Sequence, residues 1–218
     1  DRMFILVRTL PDSSRHKGLS LVIIDMKDPG IKVNPIKNIS GSSSFNEVVL
    51  SNVKTSGKNV VGKLHEGCVV ALDLLNFERS GIDYIGWAER CLDDIEEYCN
   101  EKKILSRDDI KINIASLRSS LESAKIMTYK ALWIKTIDEK IHMEPSMSKL
   151  LATEINIKIH DFAFDILSKK VTINTSNQDE FAKRIFKNRL FFISGGILGG
   201  TTEIQKNIIA QRGLGLPK

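Results

Sequence analysis

The sequence predicts an α+β protein, mainly α, in which a partial antiparallel β domain precedes an up-and-down four-helix bundle. Two observations carry this prediction. Short β-branched runs separated by turn residues fill the first 64 residues, and long stretches with apolar residues at helical spacing follow Gly67. A hydrophobic content of 42% in 218 residues is ordinary for a protein with a buried core. We therefore predict two domains, residues 1–64 and residues 65–218.

Four strands are predicted in the first domain, at residues 3–9, 19–25, 31–36 and 46–53. Turn signals separate them, with Asp28-Pro29-Gly30 after the second strand and the polar run 41–44 after the third. A sheet of so few strands leaves an edge that must be covered. We therefore expect further β structure upstream of the first strand.

Four helices are predicted in the second domain, at residues 67–100, 108–141, 145–171 and 178–213. Pro145 favours a helix start, and the polar run 174–177 separates the third helix from the fourth. Trp87 and Trp133 occupy apolar helix positions, which predicts that both lie in the core. Four consecutive helices of this length predict a bundle.

The charge pattern argues against binding of nucleic acid. The chain carries 32 basic and 27 acidic residues, a formal charge of +5, and no basic run is longer than two residues. No run of about 18 apolar residues is present, and the N-terminal residues lack a secretory pattern. A soluble, cytoplasmic protein without membrane contact is expected.

The cysteines and histidines indicate no metal site. Cys68, Cys91 and Cys99 lack the C-x-x-C spacing of a zinc site, and their odd number argues against a disulfide framework. The four histidines are scattered along the chain. A reducing compartment fits this pattern.

The C-terminal run at residues 199–217 is the most informative segment of the chain, GGTTEIQKNIIAQRGLGLP. Two glycines and two hydroxyl residues open a predicted helix. Glycine lets a backbone approach a ligand closely, and free N–H groups at a helix start favour oxygen atoms. The alternative is a capped helix start with no role in binding. On its own, the short Gly-Gly-Thr-Thr motif favours this alternative.

The whole run resembles the C-terminal signature of the acyl-CoA dehydrogenases. Further segments that resemble the family occur in the family's order: KGLS at 17–20, DPGI at 28–31, FNEVVL at 45–50, NVVG at 59–62 and EG at 66–67. The resemblance implies that the chain corresponds to the second half of the family's middle β domain and to its whole C-terminal helical domain. That is about half of a family subunit.

The resemblance implies FAD-dependent α,β-dehydrogenation of an acyl-CoA, in which a carboxylate removes the α-proton and the β-hydride passes to N5 of the flavin. In the commonest branch that carboxylate directly precedes the Gly-Thr of the tail, where this chain has Gly199. A second branch, similar to isovaleryl-CoA and long-chain acyl-CoA dehydrogenases, carries it in a Glu-Arg pair on the first helix of the C-terminal domain. Glu78-Arg79 stands there. The resemblance thus implies Glu78 as the base, whereas the residues alone favour an exposed helix carboxylate.

Further roles follow from the same resemblance. The backbone N–H of Gly199 is expected to polarise the thioester carbonyl together with a ribityl hydroxyl of FAD. Lys102 stands where many relatives have the arginine of Arg-x-x-Phe-Gly, and it replaces only the charge. The other residues expected to contact FAD are Thr201, Thr202 and Glu203, and those expected to contact substrate are Asn76, Arg79 and Gly200.

The expected partners are an acyl-CoA, one or three further copies of the chain, and an electron-transfer flavoprotein as electron acceptor. The family segments that hold the isoalloxazine ring lie outside the 218 residues, so activity is expected to need an N-terminal half. Two alternatives stay open, a non-catalytic helical assembly module and one subunit of a split acyl-CoA dehydrogenase. A flavin-dependent oxidase or monooxygenase of the same fold is a weaker third alternative.

Overall fold

The computed structural model describes residues 1–78, 81–137, 143–168 and 180–217, the side chains of residues 76–78 and 168 excepted. The chain forms two compact units, Asp1–Glu78 and Arg79–Lys218. In the described part of the chain, no helix is both long and apolar enough to cross a membrane.

The first unit contains two antiparallel sheets. One has the order β1-β2-β5, and the other pairs β3 with β4. The strands are β1 (Arg2–Arg8), β2 (Leu19–Asp25), β3 (Ile31–Ile36), β4 (Phe45–Leu50) and β5 (Val60–Val61). The four predicted strands are confirmed with small shifts in their boundaries. The short β5 was not predicted, because two residues are too few to show strand alternation.

Helix α1 (Gly67–Glu78) packs on β2 within the first unit. The approach is close at Gly67, where an added Cβ would overlap the backbone of Ser20 and Leu21. The buried hydroxyl of Ser20 accepts the backbone N–H of His65 at 2.8 Å and lies 2.7 Å from Thr9 Oγ1. These hydrogen bonds fix the residues that precede α1 against the sheet.

The second unit is a bundle of four long helices. They are α2 (Ile82–Glu101), α3 (Asp108–Thr136), α4 (Glu144–Ser168) and α5 (Glu180–Ile193). Helix α4 packs against the other three and α2 also packs against α3, so the predicted four-helix bundle is confirmed. Its fully buried large side chains include Ile85, Leu92, Ile95, Leu121, Ile159 and Ile185.

Two predicted helices are divided. The stretch 67–100 forms α1 and α2, and Gly81 precedes α2 with a φ of 73°, a left-handed conformation that interrupts a helix. The stretch 178–213 forms α5, a 3-10 turn (Ser194–Gly196), α6 (Thr202–Ile208) and a π-helical turn (Ile209–Gly213). The ends of the predicted second and third helices, at 138–141 and 169–171, lie outside the described residues.

The prediction that both tryptophans lie in the core is wrong, because Trp133 on α3 is 59% exposed and Trp87 on α2 is 45% exposed. Trp87 is half-exposed and packs edge-on against Tyr84 and Phe192. Ile126 and Tyr129 are exposed about two turns and one turn before Trp133, so these three residues form one apolar face of α3. A helical stripe in the sequence does not reveal whether another helix covers it.

Candidate active site

The glycine turn, residues 194–201, joins α5 to α6 in the second unit. Gly199 and Gly200 have φ values of 67° and 96°, a region that favours glycine because it has no Cβ. Thr201 then caps α6, with Oγ1 accepting the backbone N–H of Ile204 at 3.3 Å. The glycines therefore reverse the chain, and the threonine starts the next helix.

Two buried side chains hold the carbonyl groups of the glycine turn from one side. Lys149 Nζ on α4 donates to the carbonyl oxygens of Gly195 at 3.0 Å and Gly200 at 2.8 Å. Gln205 Nε2 on α6 donates to the carbonyl oxygens of Gly199 at 2.9 Å and Gly200 at 3.3 Å. Lys149 is 8% exposed and Gln205 is 4% exposed. Three carbonyl groups of the turn are therefore hydrogen-bonded by two buried polar side chains.

The opposite side of the glycine turn presents backbone donors. In a planar trans peptide, the carbonyl of one residue and the N–H of the next point in opposite directions. Because the carbonyls of Gly199 and Gly200 face Lys149 and Gln205, the N–H groups of Gly200 and Thr201 point away from them. Neither N–H, nor that of Gly199, donates to a backbone carbonyl within the described ranges. The turn can therefore donate hydrogen bonds to an external oxygen.

The electrostatics of the turn favour an ionised Glu203. Its own backbone N–H, the hydroxyl of Thr201 and the nearby cations Lys206 and Lys149 lower the pKa of this carboxyl. A carboxylate with a lowered pKa is a weak proton acceptor, so Glu203 is poorly suited to serve as a general base. Burial lowers the pKa of Lys149, and the carboxylate of Glu203 opposes that shift.

Of the other predicted site residues, Thr202 lies beside the glycine turn, and the rest lie on other elements or outside the described part of the chain. Glu78 is the last residue of α1, in the first unit, and its side chain and that of Asn76 lie outside the described residues, as does all of Arg79. Lys102 caps the C-terminus of α2, with Nζ 5.4 Å from the ring centroid of Tyr98. Thr202, the first residue of α6, is half-buried beside the glycine turn.

Sequence reasoning missed Lys149 and Gln205. A signal for Lys149 was present, because Lys149, Thr153, Asn156 and His160 recur at spacings of four, three and four residues and so share one face of α4. All four side chains are buried. A polar face on a helix that packs against three others indicates groups that are bonded inside the bundle.

The family model described as acyl-CoA dehydrogenase, C-terminal domain, matches residues 65–214. The chain belongs to the acyl-CoA dehydrogenase family. The acyl-CoA dehydrogenase IpdE1 of Mycolicibacterium smegmatis is 32% identical over 220 residues, which cover 99% of this chain and 53% of that relative. The chain therefore spans about half the length of the curated acyl-CoA dehydrogenases it matches.

Two solved structures share the fold along the whole chain. A glutaryl-coenzyme A dehydrogenase in complex with glutaryl-CoA superposes with a TM-score of 0.83 at 28% identity, covering 100% of this chain and 56% of that one. The ChsE4-ChsE5 complex of Mycobacterium tuberculosis gives a TM-score of 0.84 at 20% identity, with coverages of 100% and 58%. At 20% identity, the similarity to the ChsE4-ChsE5 complex shows the fold alone.

Proposed function

We propose that this chain is the C-terminal half of an FAD-dependent acyl-CoA dehydrogenase, an oxidoreductase that removes two hydrogens from adjacent carbons of an acyl-CoA thioester. Residues 1–64 are assigned to its middle β domain and residues 65–218 to its C-terminal domain. The observation that carries the proposal is the glycine turn, whose N–H groups at Gly200 and Thr201 face away from their buried supports in a chain of this family. A cytoplasmic location is part of the same proposal.

Bound FAD supplies the hydride acceptor. Thr201, Thr202, Glu203 and Lys102 are the residues proposed to hold it. The residues of the glycine turn fit a polar ligand of this kind, because the turn offers backbone N–H donors with no acceptor in the described backbone. An added methyl group at Gly199 would meet only Lys149 Cε, at 3.9 Å, so the space beside this residue is open.

The chain's own residues have separate roles in the proposed reaction. Glu78 takes the α-proton onto its carboxylate, because Gly199 has no side chain that could do so. The N–H of Gly199 donates to the thioester oxygen and stabilises the negative charge that develops there as the proton leaves. Asn76, Arg79 and Gly200 are proposed to contact the acyl-CoA. The low pKa of Glu203 supports the assignment of the base to another carboxylate.

We also propose that the enzyme is a homodimer or homotetramer that passes electrons to an electron-transfer flavoprotein. The apolar face of α3 supports the first part, because Ile126, Tyr129 and Trp133 are 66%, 51% and 59% exposed. A contiguous exposed apolar patch of this kind is typical of an interaction surface. The same face favours the alternative function, a helical assembly module or one subunit of a split enzyme.

The flavin spectrum distinguishes the two functions. The 218-residue chain and the full-length polypeptide would each be mixed with FAD, freed of excess flavin, and treated anaerobically with an acyl-CoA. The dehydrogenase proposal expects a bound flavin in the full-length protein whose visible absorbance is lost on addition of substrate. A full-length protein that binds no flavin would overturn the proposal and support the assembly module.

Substitution of Glu78 tests the assignment of the base. Glu78→Gln in the full-length enzyme is expected to slow flavin reduction by about 10³-fold while flavin binding is retained. Glu101→Gln, at the exposed end of α2, is the matched control and is expected to keep the full rate. An unchanged rate in Glu78→Gln would remove this residue from the mechanism.

A further inference from the structure

We infer that Lys149 is a positioning residue, which fixes the peptide planes of the glycine turn so that the N–H of Gly199 is oriented for the thioester oxygen, and which polarises the N–H of Thr201. This inference rests on the proposed function. It concerns a residue that touches neither substrate nor flavin and acts through the backbone of Gly195 and Gly200.

The burial of the Lys149 ammonium group is by itself unfavourable for folding. An ammonium group that is 8% exposed loses most of its hydration, and a buried charge is unfavourable unless other groups compensate for that loss. Its partners at 3.0 and 2.8 Å are neutral carbonyl oxygens rather than carboxylates. An apolar side chain in its place would avoid this cost but would leave the two carbonyl oxygens without this donor. A neutral donor could bond them with a smaller loss of hydration, so hydrogen bonding alone gives no reason for a charge at this position.

The direction of the two hydrogen bonds suggests what the charge does. A cation bonded to a carbonyl oxygen draws electron density toward that oxygen and leaves the N–H of the same peptide more positive. Lys149 bonds the carbonyl of Gly200, so the polarised donor is the N–H of Thr201. Gln205 bonds the carbonyl of Gly199, which orients the N–H of Gly200 in the same way without a charge. The ammonium group thus makes the outward N–H of Thr201 a stronger hydrogen-bond donor.

The glycine turn needs such support because its backbone is permissive. Gly199 and Gly200 can adopt many conformations when nothing restrains them, and each lost restraint spreads their N–H groups over more directions. A donor stabilises developing charge only when it is already oriented before the reaction. Lys149 reaches the turn at two points, Gly195 and Gly200, which closes the intervening residues into a fixed loop.

The test uses three variants of the full-length enzyme. Lys149→Met removes both the charge and the donors at similar length, whereas Lys149→Gln keeps a donor and removes only the charge. Lys158→Met alters an exposed lysine two and a half turns further along the same helix and serves as the control. Amide hydrogen exchange is followed by mass spectrometry across the chain, and flavin reduction is measured against acyl-CoA concentration.

Within the glycine turn, the N–H groups of Ile197 and Leu198 both donate to the carbonyl of Ser194 at 2.9 Å. The inference expects exchange of these two amides to rise by about 10-fold in Lys149→Met, with the buried parts of α2 and α3 unchanged. The limiting rate of flavin reduction is expected to fall by about 10-fold or more with little change in the half-saturating substrate concentration. Lys149→Gln is expected to retain part of the exchange protection and to lose most of the rate. If Lys149→Met does not fold, the Lys149→Gln variant tests the inference by itself.

Two results would overturn the inference. One is unchanged exchange in the glycine turn of both Lys149 variants. The other is faster exchange throughout the bundle with a rate that falls only in proportion to the unfolded fraction, because that describes a residue needed for stability alone. If no acyl-CoA reduces the flavin of the wild-type enzyme, the proposed function fails. The exchange measurement then still decides whether Lys149 positions the turn.

Discussion

Arg184 on α5 donates through Nη2 to Oδ2 of Asp94 on α2 at 2.6 Å, and the other oxygen of the same carboxylate pairs with Arg90 at 3.0 Å. The side chain of Asp94 is only 12% exposed. One carboxylate therefore joins two helices of the bundle and compensates two guanidinium groups.

Asp94→Asn is expected to destabilise the protein by about 1–2 kcal/mol, because a mostly buried carboxylate is lost while both arginines remain. Glu180→Gln is the matched control. Its side chain is 88% exposed and, among the residues that the structure describes, pairs with Lys183 alone, so its removal should cost less than about 0.5 kcal/mol. Urea unfolding followed by circular dichroism measures both, and equal effects would contradict the assigned role of Asp94.

Gly67→Ala is expected to destabilise the first unit by at least about 2 kcal/mol, because the added methyl group would overlap the backbone of β2. Gly86→Ala makes the same chemical change inside α2, where an added Cβ meets no atom within 4 Å. It should stabilise the protein by about 0.5–1 kcal/mol, since alanine favours the helix. The two variants should therefore shift the urea midpoint in opposite directions, and a shift of the same sign would refute the packing described for Gly67.

His160 is 1% exposed and its ring centroid lies 4.4 Å from that of Phe192. Burial lowers the pKa of this imidazole, while its bond to the carbonyl of Asn156 and the charge of Asp161 oppose the shift. Below about pH 6.5 the unfolded chain takes up a proton at this site before the folded protein does. The free energy of unfolding should therefore fall as the pH decreases through that range, and the loss should level off below the lowered pKa.

The His160→Phe variant is expected to show a shallower loss of stability between pH 7 and pH 5 than the wild type. The exposed His16 provides a control, because His16→Phe should leave the slope unchanged. Urea midpoints at several pH values measure the difference. Parallel pH profiles for His160→Phe and the wild type would contradict the lowered pKa.

The thiol of Cys91 is expected to be nearly inert. Burial, assisted by the charge of Asp94, raises its pKa to about 12, and the thiolate is the reactive form. Cys68 is half-buried in the first unit and more accessible. Alkylation of the native protein at pH 8, followed by peptide mass spectrometry, should label Cys68 well before Cys91. Labelling of Cys91 at an equal rate would contradict its buried environment.

The sequence was sufficient for the elements that have a strong local pattern. β-branched runs located four strands, and apolar spacing located the bundle. It was insufficient where the deciding interaction is tertiary. Trp133 has the spacing of a core residue and is exposed. The predicted helix 178–213 runs across Gly199 and Gly200, although α5 ends at Ile193 and these two glycines have a left-handed backbone.

The candidate site was predictable only in part for the same reason. The Gly-Gly-Thr-Thr motif located the glycine turn, because its residue types favour a close backbone approach and a helix cap. The support of that turn was hidden, since Lys149 lies 51 residues before Gly200 and an isolated lysine in a sequence usually indicates a solvated surface. Its partners become evident only when α4 and α6 are folded together.

The buried polar face of α4 limits how this helix can be aligned with its neighbours. Asn156 Nδ2 donates to the carbonyl of Tyr84 at 2.6 Å, and Ser148 Oγ lies 2.8 Å from Thr128 Oγ1. A purely apolar helix can slide by one turn and still bury its surface, whereas sliding α4 would leave these groups unbonded inside the bundle. We therefore expect that the helices have one permitted alignment, and that variants with an apolar residue at Asn156 populate shifted alternatives.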